Sequence, residues 1–243
     1  TEERLKDRIK IVRTHNVEHD YYQNLAKVES NIFKRYYFYN ESSKLETFEQ
    51  VLQHAQIIAA ISRNDTAHFD KKYGNAFYIP AFHNNEQVNI LPGKGHFAFY
   101  HGNLAIGENN EAALYLVNEV FNHIKIPLII AGSRPTGDLR NAVAKKNHIT
   151  LIGDLTTKQI HQLIHDAHIN ILPTFQPTGI KLKLLSALYN GRFALVNPMM
   201  VENTGLENLC DIAETPAAMR IRTQELMEID FKTADIKTRE KIL

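Results

Sequence analysis

Apolar and polar positions alternate most clearly from His96 onward. The run HFAFYHG (96–102) is short, apolar and closed by glycine, which predicts a strand. NNEAALYLVNEVFNHI (109–124) places Ala112, Leu116, Val120 and Ile124 on one helical face. IPLIIAG (126–132) is a continuous apolar run, the pattern of a strand buried on both faces. TGDLRNAVAKKN predicts a helix, with Asp138 near its start and Lys145 and Lys146 near its end, as the helix dipole favours. ITLIG (149–153) predicts a strand, and TTKQIHQLIHDA (156–167) a helix capped by Thr156 or Thr157. INILPTF (169–175) predicts a strand, GIKLKLLSALYNG (179–191) a helix ending at Gly191, and RFALVN (192–197) another strand. Strands and helices thus alternate with short connections, which predicts an α/β domain with a parallel sheet and helices on both faces. Such folds bind ligands beyond the carboxyl ends of their strands, so the loops at 102–108, 132–137, 153–157, 173–179 and 197–206 carry the interest.

The first 83 residues differ. IKIVRT (9–14), QIIAAIS (56–62) and NAFYIPAF (75–82) predict strands, and a long polar, aromatic-rich helical stretch fills 18–54. Two or three parallel strands make a poor sheet, because both faces need covering. The expectation is that this is a partial domain lacking several N-terminal strands. HNNEQVNILPGKG (83–95) is polar and ends in Pro92, Gly93 and Gly95, so an interdomain linker is expected over 84–95. The aromatic residues Tyr21, Tyr22, Tyr36, Tyr37, Phe38 and Tyr39 are expected to pack the small domain's core; the alternative is an aromatic acceptor-binding surface.

Composition narrows the class. Lys plus Arg number 28 and Asp plus Glu 27, a formal net charge of +1, which gives no reason to expect nucleic acid as a partner. A single cysteine, Cys210, rules out an internal disulfide and fits a reducing compartment. No apolar run approaches the roughly 20 residues that cross a bilayer. The expected location is the cytoplasm, either free or peripheral to the inner face of the membrane.

These elements resemble the group 1 glycosyltransferases of the GT-B fold over nearly the whole chain. In that family the C-terminal domain opens with a strand and a glycine, here FYHGNL, and continues with a helix, here ENNEAALYLVNEVF. LIIAG, LIGDL and AHINILP match the strands that follow. The most specific block is G-x-x-x-K-x-L-E-A-x-x-x-G, here GIKLKLLSALYNG from Gly179 to Gly191. RTHNVEHDYY and AQIIAAIS are similar to the second half of the family's acceptor domain. The resemblance implies a partial acceptor-side domain over 1–83 and a complete Rossmann-like, nucleotide-sugar-binding domain over 96–243. It implies transfer of a sugar from a nucleotide-sugar donor to a glycan, lipid-linked or small-molecule acceptor, retaining the anomeric configuration and without metal or cofactor. One departure matters. Where the family usually has a Glu that grips donor hydroxyls, this chain has Ser186, which cannot accept two hydrogen bonds as a carboxylate does. Gln176 is likewise uncharged where an upstream Glu often lies, and Asn103 stands where many members have Arg.

Departing diphosphate needs positive charge and backbone N–H groups. Lys183 occupies the family's lysine position, and Thr178 and Gly179 would supply a helix N-terminus. Gly102, Ser133 and Arg134 follow predicted strands at the ligand-binding edge; Arg134 with Lys183 is the expected phosphate pair, the alternative for Arg134 being a solvated loop cation. The loop at Asp154 and Leu155 is expected to hold the base through main-chain groups. His15 and His19 follow a strand in the first domain and are candidates to orient an acceptor hydroxyl.

Two readings from other classes compete. One is a catalytically degenerate module that binds a nucleotide or a protein partner, supported by Ser186. The other is a zinc hydrolase built on HNVEH (15–19), which matches H-x-x-E-H but begins directly after a strand and lacks a marked third ligand. His161, His165 and His168 share a helix face, yet the expectation is that this helix packs Ile160, Leu163 and Ile164 inward and binds no metal.

Overall fold

The computed structural model of the chain describes residues 7–29, 31–80, 82–175, 182–202 and 204–243. Gln176, Thr178 and Gly179, three of the expected donor contacts, lie outside these residues. The chain divides into two compact units, the second beginning at Asn84.

The first unit holds a parallel sheet of order β1-β2-β3, with β1 at Ile11–Thr14, β2 at Ile57–Ala60 and β3 at Ala76–Tyr78. The stretch read as one helical run is two helices, α1 (Glu18–Val28) and α2 (Ile32–Glu49), followed by a 3-10 turn over Gln50–His54. Asn31 makes the break, because its side chain accepts hydrogen bonds from the N–H groups of Phe33 and Lys34 and so caps α2. A third helix, α3 (Arg63–Tyr73), was not expected; Ser62 caps it by accepting from the Asp65 N–H at 3.0 Å. The apolar cluster is small: Val17, Leu52, Ala55, Ile58, Ala60, Phe69 and Ala76. The expectation that the tyrosines pack this core is overturned for Tyr36, Tyr37 and Tyr39, which are 68%, 54% and 47% exposed. They stand on α2, whose buried residues are Ser42 and Glu49, so that helix presents polar groups inward.

The second unit is built on a six-stranded parallel sheet. Its strands are β4 (Ala98–His101), β5 (Leu128–Ala131), β6 (Ile149–Ile152), β7 (Ile169–Leu172), β8 (Phe193–Val196) and β9 (Asp211–Ile212). Their order is β6-β5-β4-β7-β8-β9. The intervening helices are α4 (Gly107–Tyr115), α5 (Gly137–Ala144), α6 (Thr157–Asp166), α7 (Leu182–Asn190) and the short α8 (Pro198–Val201). Strands β7 and β8 are buried at every position, β8 as its continuous apolar run requires and β7 with the polar Asn170 donating to the Ile164 carbonyl. One face packs the large core around Leu116, Val120 and Phe121; the other packs Phe99, Ala131, Ile164 and Ala167. The predicted face Ala112, Leu116, Val120 and Ile124 is buried, although α4 gives way to a π-helical turn over Leu116–Val120. The helix α6 starts on a capping box between Thr156 and Gln159, one of the two caps expected.

The chain beyond β8 adds β9, α9 (Pro216–Glu228) and α10 (Thr233–Ile242), none of them read from the sequence. Helix α10 closes the end of α7. The buried Arg239 donates to the carbonyls of Leu188, Gly191 and Arg192, and burial lowers its pKa to about 10. Gly191 is glycine because a Cβ there would lie 2.1 Å from the Asn170 side chain on β7. Residues 84–95 pack on this unit: Ile90 is buried in its core, and Gly93 pairs with Phe231 through two backbone hydrogen bonds.

Candidate functional site

Strand order reverses between β4 and β7. The chain runs outward from β4 through β5 to β6, then returns to place β7 on the other side of β4. The carboxyl ends of these two strands, where the loops part in opposite directions, are the usual ligand-binding crevice of an open parallel sheet. Gly102 and Asn103 follow β4 there, and Thr174 follows β7.

The loops after β4 and β5 are stitched together. Gly132 follows β5, and a Cβ on it would stand 1.9 Å from the Gly102 carbonyl oxygen, so this approach admits only glycine. Asn103 Oδ1 accepts from Ser133 Oγ at 3.2 Å and from the Ala105 N–H at 3.1 Å. The Leu104 N–H donates to the Ser133 carbonyl at 3.1 Å. Asn109, on α4, donates to the Asn103 carbonyl, and its Oδ1 accepts from Lys183 Nζ at 2.9 Å. Lys183 stands in the first turn of α7, with Nζ 5.4 Å from the centroid of the Tyr100 ring. Gly102, Asn103, Ser133 and Lys183 therefore gather at the crevice, with Asn109 as the hub.

The other expected donor residues take separate positions. Arg134 and Asp154 are exposed, at the carboxyl ends of β5 and β6, with φ of 51° and 53°. Left-handed backbone at a non-glycine residue costs of order 1–3 kcal/mol and clusters at ligand-binding loops. Leu155 packs against the Phe99 and Ile164 cluster, so only its main chain is left for a ligand. Ser186 lies one turn beyond Lys183, and its carbonyl accepts from Asn190 Nδ2.

Two residues at this edge escape sequence reasoning. Asn109 reads as an ordinary helix-start residue until the fold sets it beside Lys183. His101 ends β4, and its buried Nε2 has no hydrogen-bond partner among the described residues. Burial, aided by the charges of Lys183 and His161, lowers the His101 pKa to about 4, so the ring is neutral at pH 7. The one available sequence signal was a polar residue closing an apolar strand just before the glycine.

In the first unit, His15 is exposed in the bend after β1 and borders a cavity of about 250 Å³ shared with Arg13, Asn16, Leu45 and Phe48. His19 opens α1, is 8% exposed, and turns its Nδ1 toward Glu49 Oε2 at 3.2 Å. His15 is outside the helix, so the pair cannot form the one-faced helical site of an H-x-x-E-H hydrolase. His168 is committed elsewhere: its Nδ1 accepts from the Gly95 N–H and its Nε2 donates to the Leu226 carbonyl, which removes it from any shared metal site with His161 and His165.

No protein-family model matches the chain. It is 27% identical over 215 residues to an uncharacterized 44.6 kDa protein in the cps region of Klebsiella pneumoniae, covering 81% of this chain and 53% of that protein. Sucrose-phosphate synthase from Thermosynechococcus elongatus superposes with a TM-score of 0.70 at 16% identity, over 95% of this chain and 61% of that one. A mutant of S. aureus TarM, solved with fondaparinux, alpha-GlcNAc-glycerol and UDP, superposes with a TM-score of 0.66 at 14% identity, over 96% of this chain and 47% of that one. The chain thus spans about half the length of the Klebsiella protein and of TarM. Among the described residues no helix is long and apolar enough to cross a membrane. With two parallel-sheet units of this kind, and with its neighbours among the solved glycosyltransferases, the chain has the GT-B fold.

Proposed function

We propose that the chain is part of a glycosyltransferase that moves a sugar from a nucleotide diphosphate to an acceptor hydroxyl, and that its second unit binds the donor. The supporting observation is the convergence of Lys183, through Asn109, on the glycine-bearing loops that close β4 and β5 at the reversal of strand order. In the reaction the bond from the sugar's anomeric carbon to the diphosphate oxygen breaks, and its electron pair leaves with the diphosphate. The acceptor oxygen bonds to that carbon and gives up its proton to the departing diphosphate. Lys183 supplies positive charge where the negative charge grows, in a site preorganised by its bond to Asn109. Arg134 is the second phosphate contact. Ser133, Asn103 and the His101 Nε2, which has no partner among the described residues, offer further polar contacts. UDP is the nucleotide to try first, because TarM was solved with it.

The acceptor belongs to the first unit, where His15 borders the cavity. His15 is better placed than His19, whose ring is turned to Glu49. Retention of configuration follows from the resemblance and is proposed with it. Ser186 leaves the donor's hydroxyls to be held by a single hydroxyl in place of a carboxylate.

Calorimetric titration with UDP, GDP, ADP and CMP, without metal and then with magnesium, tests this reading. Saturable binding of one nucleoside diphosphate is expected. At 100 times Kd it stabilises the fold by roughly 2.7 kcal/mol. Absence of binding by all four would contradict the transferase reading and favour a module that has lost its donor site.

A further inference from the structure

The first unit contains a second cluster, unrelated to the donor site. His19 from α1, Glu49 from the end of α2 and His68 from the middle of α3 bring three potential ligand atoms within 4.8 Å of one another. His19 Nδ1 lies 3.2 Å and His68 Nε2 3.3 Å from Glu49 Oε2. A tetrahedral zinc ion with bonds of about 2.0–2.2 Å sets its ligands roughly 3.3–3.5 Å apart, so these two spacings suit one ion, and the two histidine nitrogens, within 4.8 Å of each other, can close on it. We infer that His19, Glu49 and His68 form a binding site for a zinc-like divalent transition-metal ion that ties α1, α2 and α3 together.

Three further observations support it. First, the His19 Nδ1 is buried and, for all its closeness to Glu49, is not aligned for a hydrogen bond; it has no partner among the described residues. Second, His19 Nε2 faces Asp20 Oδ1 at 3.5 Å. A proton held on that nitrogen leaves Nδ1 with its lone pair free, the arrangement in which an outer carboxylate orients a metal-binding imidazole. Third, the side chain of Glu49 is only 7% exposed, and such a carboxylate demands a cation. Lys72 fills that role in this structure, with its Nζ 2.5 Å from Glu49 Oε1. Its side chain is 38% exposed, so it can swing to solvent when an ion takes its place. Two imidazoles and one carboxylate suit zinc better than calcium or magnesium, which prefer all-oxygen shells. The cavity of about 250 Å³ is bordered by His19 and Glu49 and gives water access to a fourth position. The unit's small apolar core explains what such a cross-link adds, since small cores gain most from a metal staple.

Zinc titration of the chelator-treated protein against a competing chromophoric chelator tests the inference. One zinc per chain is expected, with affinity about a hundredfold weaker in His68→Ala. Lys72→Ala is expected to bind at least about threefold more tightly, because it removes the competing ammonium. His161→Ala, in the other unit, leaves the affinity unchanged. Failure to bind one zinc, undiminished binding in His68→Ala, or weaker binding in Lys72→Ala would overturn the assignment. Should His68→Ala fail to fold, cobalt in the unaltered protein decides: intense tetrahedral absorption bands support the site, and a weak six-coordinate spectrum overturns it. Neither readout depends on nucleotide binding, so the donor-site reading and this one can fail separately.

Discussion

Both units carry parallel sheets with helical crossovers, but they are held together differently. The second rests on two strands, β7 and β8, with every side chain buried, and on one large apolar cluster that reaches from Ile90 to Phe231. The first rests on a cluster of seven buried apolar residues among those described and on the charged cluster around Glu49, while Ile9, Ile11, Phe33 and Tyr36 face outward. Apolar burial is additive and tolerant of single losses, whereas a small core joined by buried ions depends on each member. The first unit is therefore the one whose stability a single partner, ionic or apolar, controls.

Loss of one large core side chain exposes that difference most. Phe69→Ala and Phe121→Ala each remove a fully buried ring and each costs about 3–5 kcal/mol. The expected outcome is that Phe69→Ala abolishes amide-exchange protection throughout the first unit, while Phe121→Ala lowers protection in the second without erasing it. Equal loss of protection in both would break the comparison.

Acid should separate the units next. His101 has a pKa lowered to about 4 by burial, with the charges of Lys183 and His161 adding to it; burial likewise lowers that of His168. A folded imidazole that resists protonation makes the unfolded state the better proton binder. Stability of the second unit therefore falls as pH drops from about 6.5 toward 4, by at most about 3 kcal/mol for His101. Glu49 loses stability in the same direction but in a more acid window. Burial raises its pKa, but the hydrogen bond from Lys72 and the charges of His68, Lys72 and His19 outweigh that and leave it lowered. Its contribution to the first unit stays in place above the ordinary carboxylate range and is lost only as pH falls through the lowered value. His101→Gln should flatten the acid limb of the second unit's stability profile, read by denaturant unfolding at a series of pH values. An unchanged profile would show that His101 is not the titrating group.

The smallest contrast is in the helix caps. Thr156→Ala and Asn31→Ala each remove a side-chain acceptor of helix N–H groups and each costs about 1 kcal/mol. The cap on α6 is backed by the Ile164 core, so its loss is expected to shift only the midpoint of unfolding. Asn31 separates α1 from α2 in the weaker unit, so its loss is expected to lower helical circular dichroism before the main transition. A single coincident transition in Asn31→Ala would contradict that.

Legibility follows the same division. The strands β4 to β8 stand where their mainly apolar runs put them, because each run is short and bounded by polar, glycine or proline residues. The two-residue β9 is too short to leave a pattern, and α9 and α10 were passed over despite the Thr215–Pro216 start of α9. In the first unit, α2 buries Ser42 and Glu49 and exposes tyrosines, the reverse of an amphipathic helix, so its sequence could not announce its inner face. The helix α3 was missed although Ser62 and Asp65 mark its start. Of the proposed donor site, Gly102 and Ser133 could be placed from the sequence because the carboxyl edge of a parallel sheet is predictable from strand order, and Lys183 because the G-x-x-x-K block marks it. Asn109 and His101 were not, since their roles arise from packing between elements. Nor was the cluster of His19, Glu49 and His68, whose members stand on three separate helices and share no sequence spacing.

The central claim is that the crevice at the ends of β4 and β7 binds a nucleoside diphosphate through Lys183. Its most direct test is the UDP affinity of Lys183→Ala beside that of the unaltered chain, measured by calorimetry in the absence of divalent metal. The account predicts saturable binding to the unaltered chain and a loss of at least about tenfold in the variant, since a charge-assisted contact to phosphate is worth about 1.5–3 kcal/mol. Equal affinity in the two proteins, with the variant folded, would contradict it.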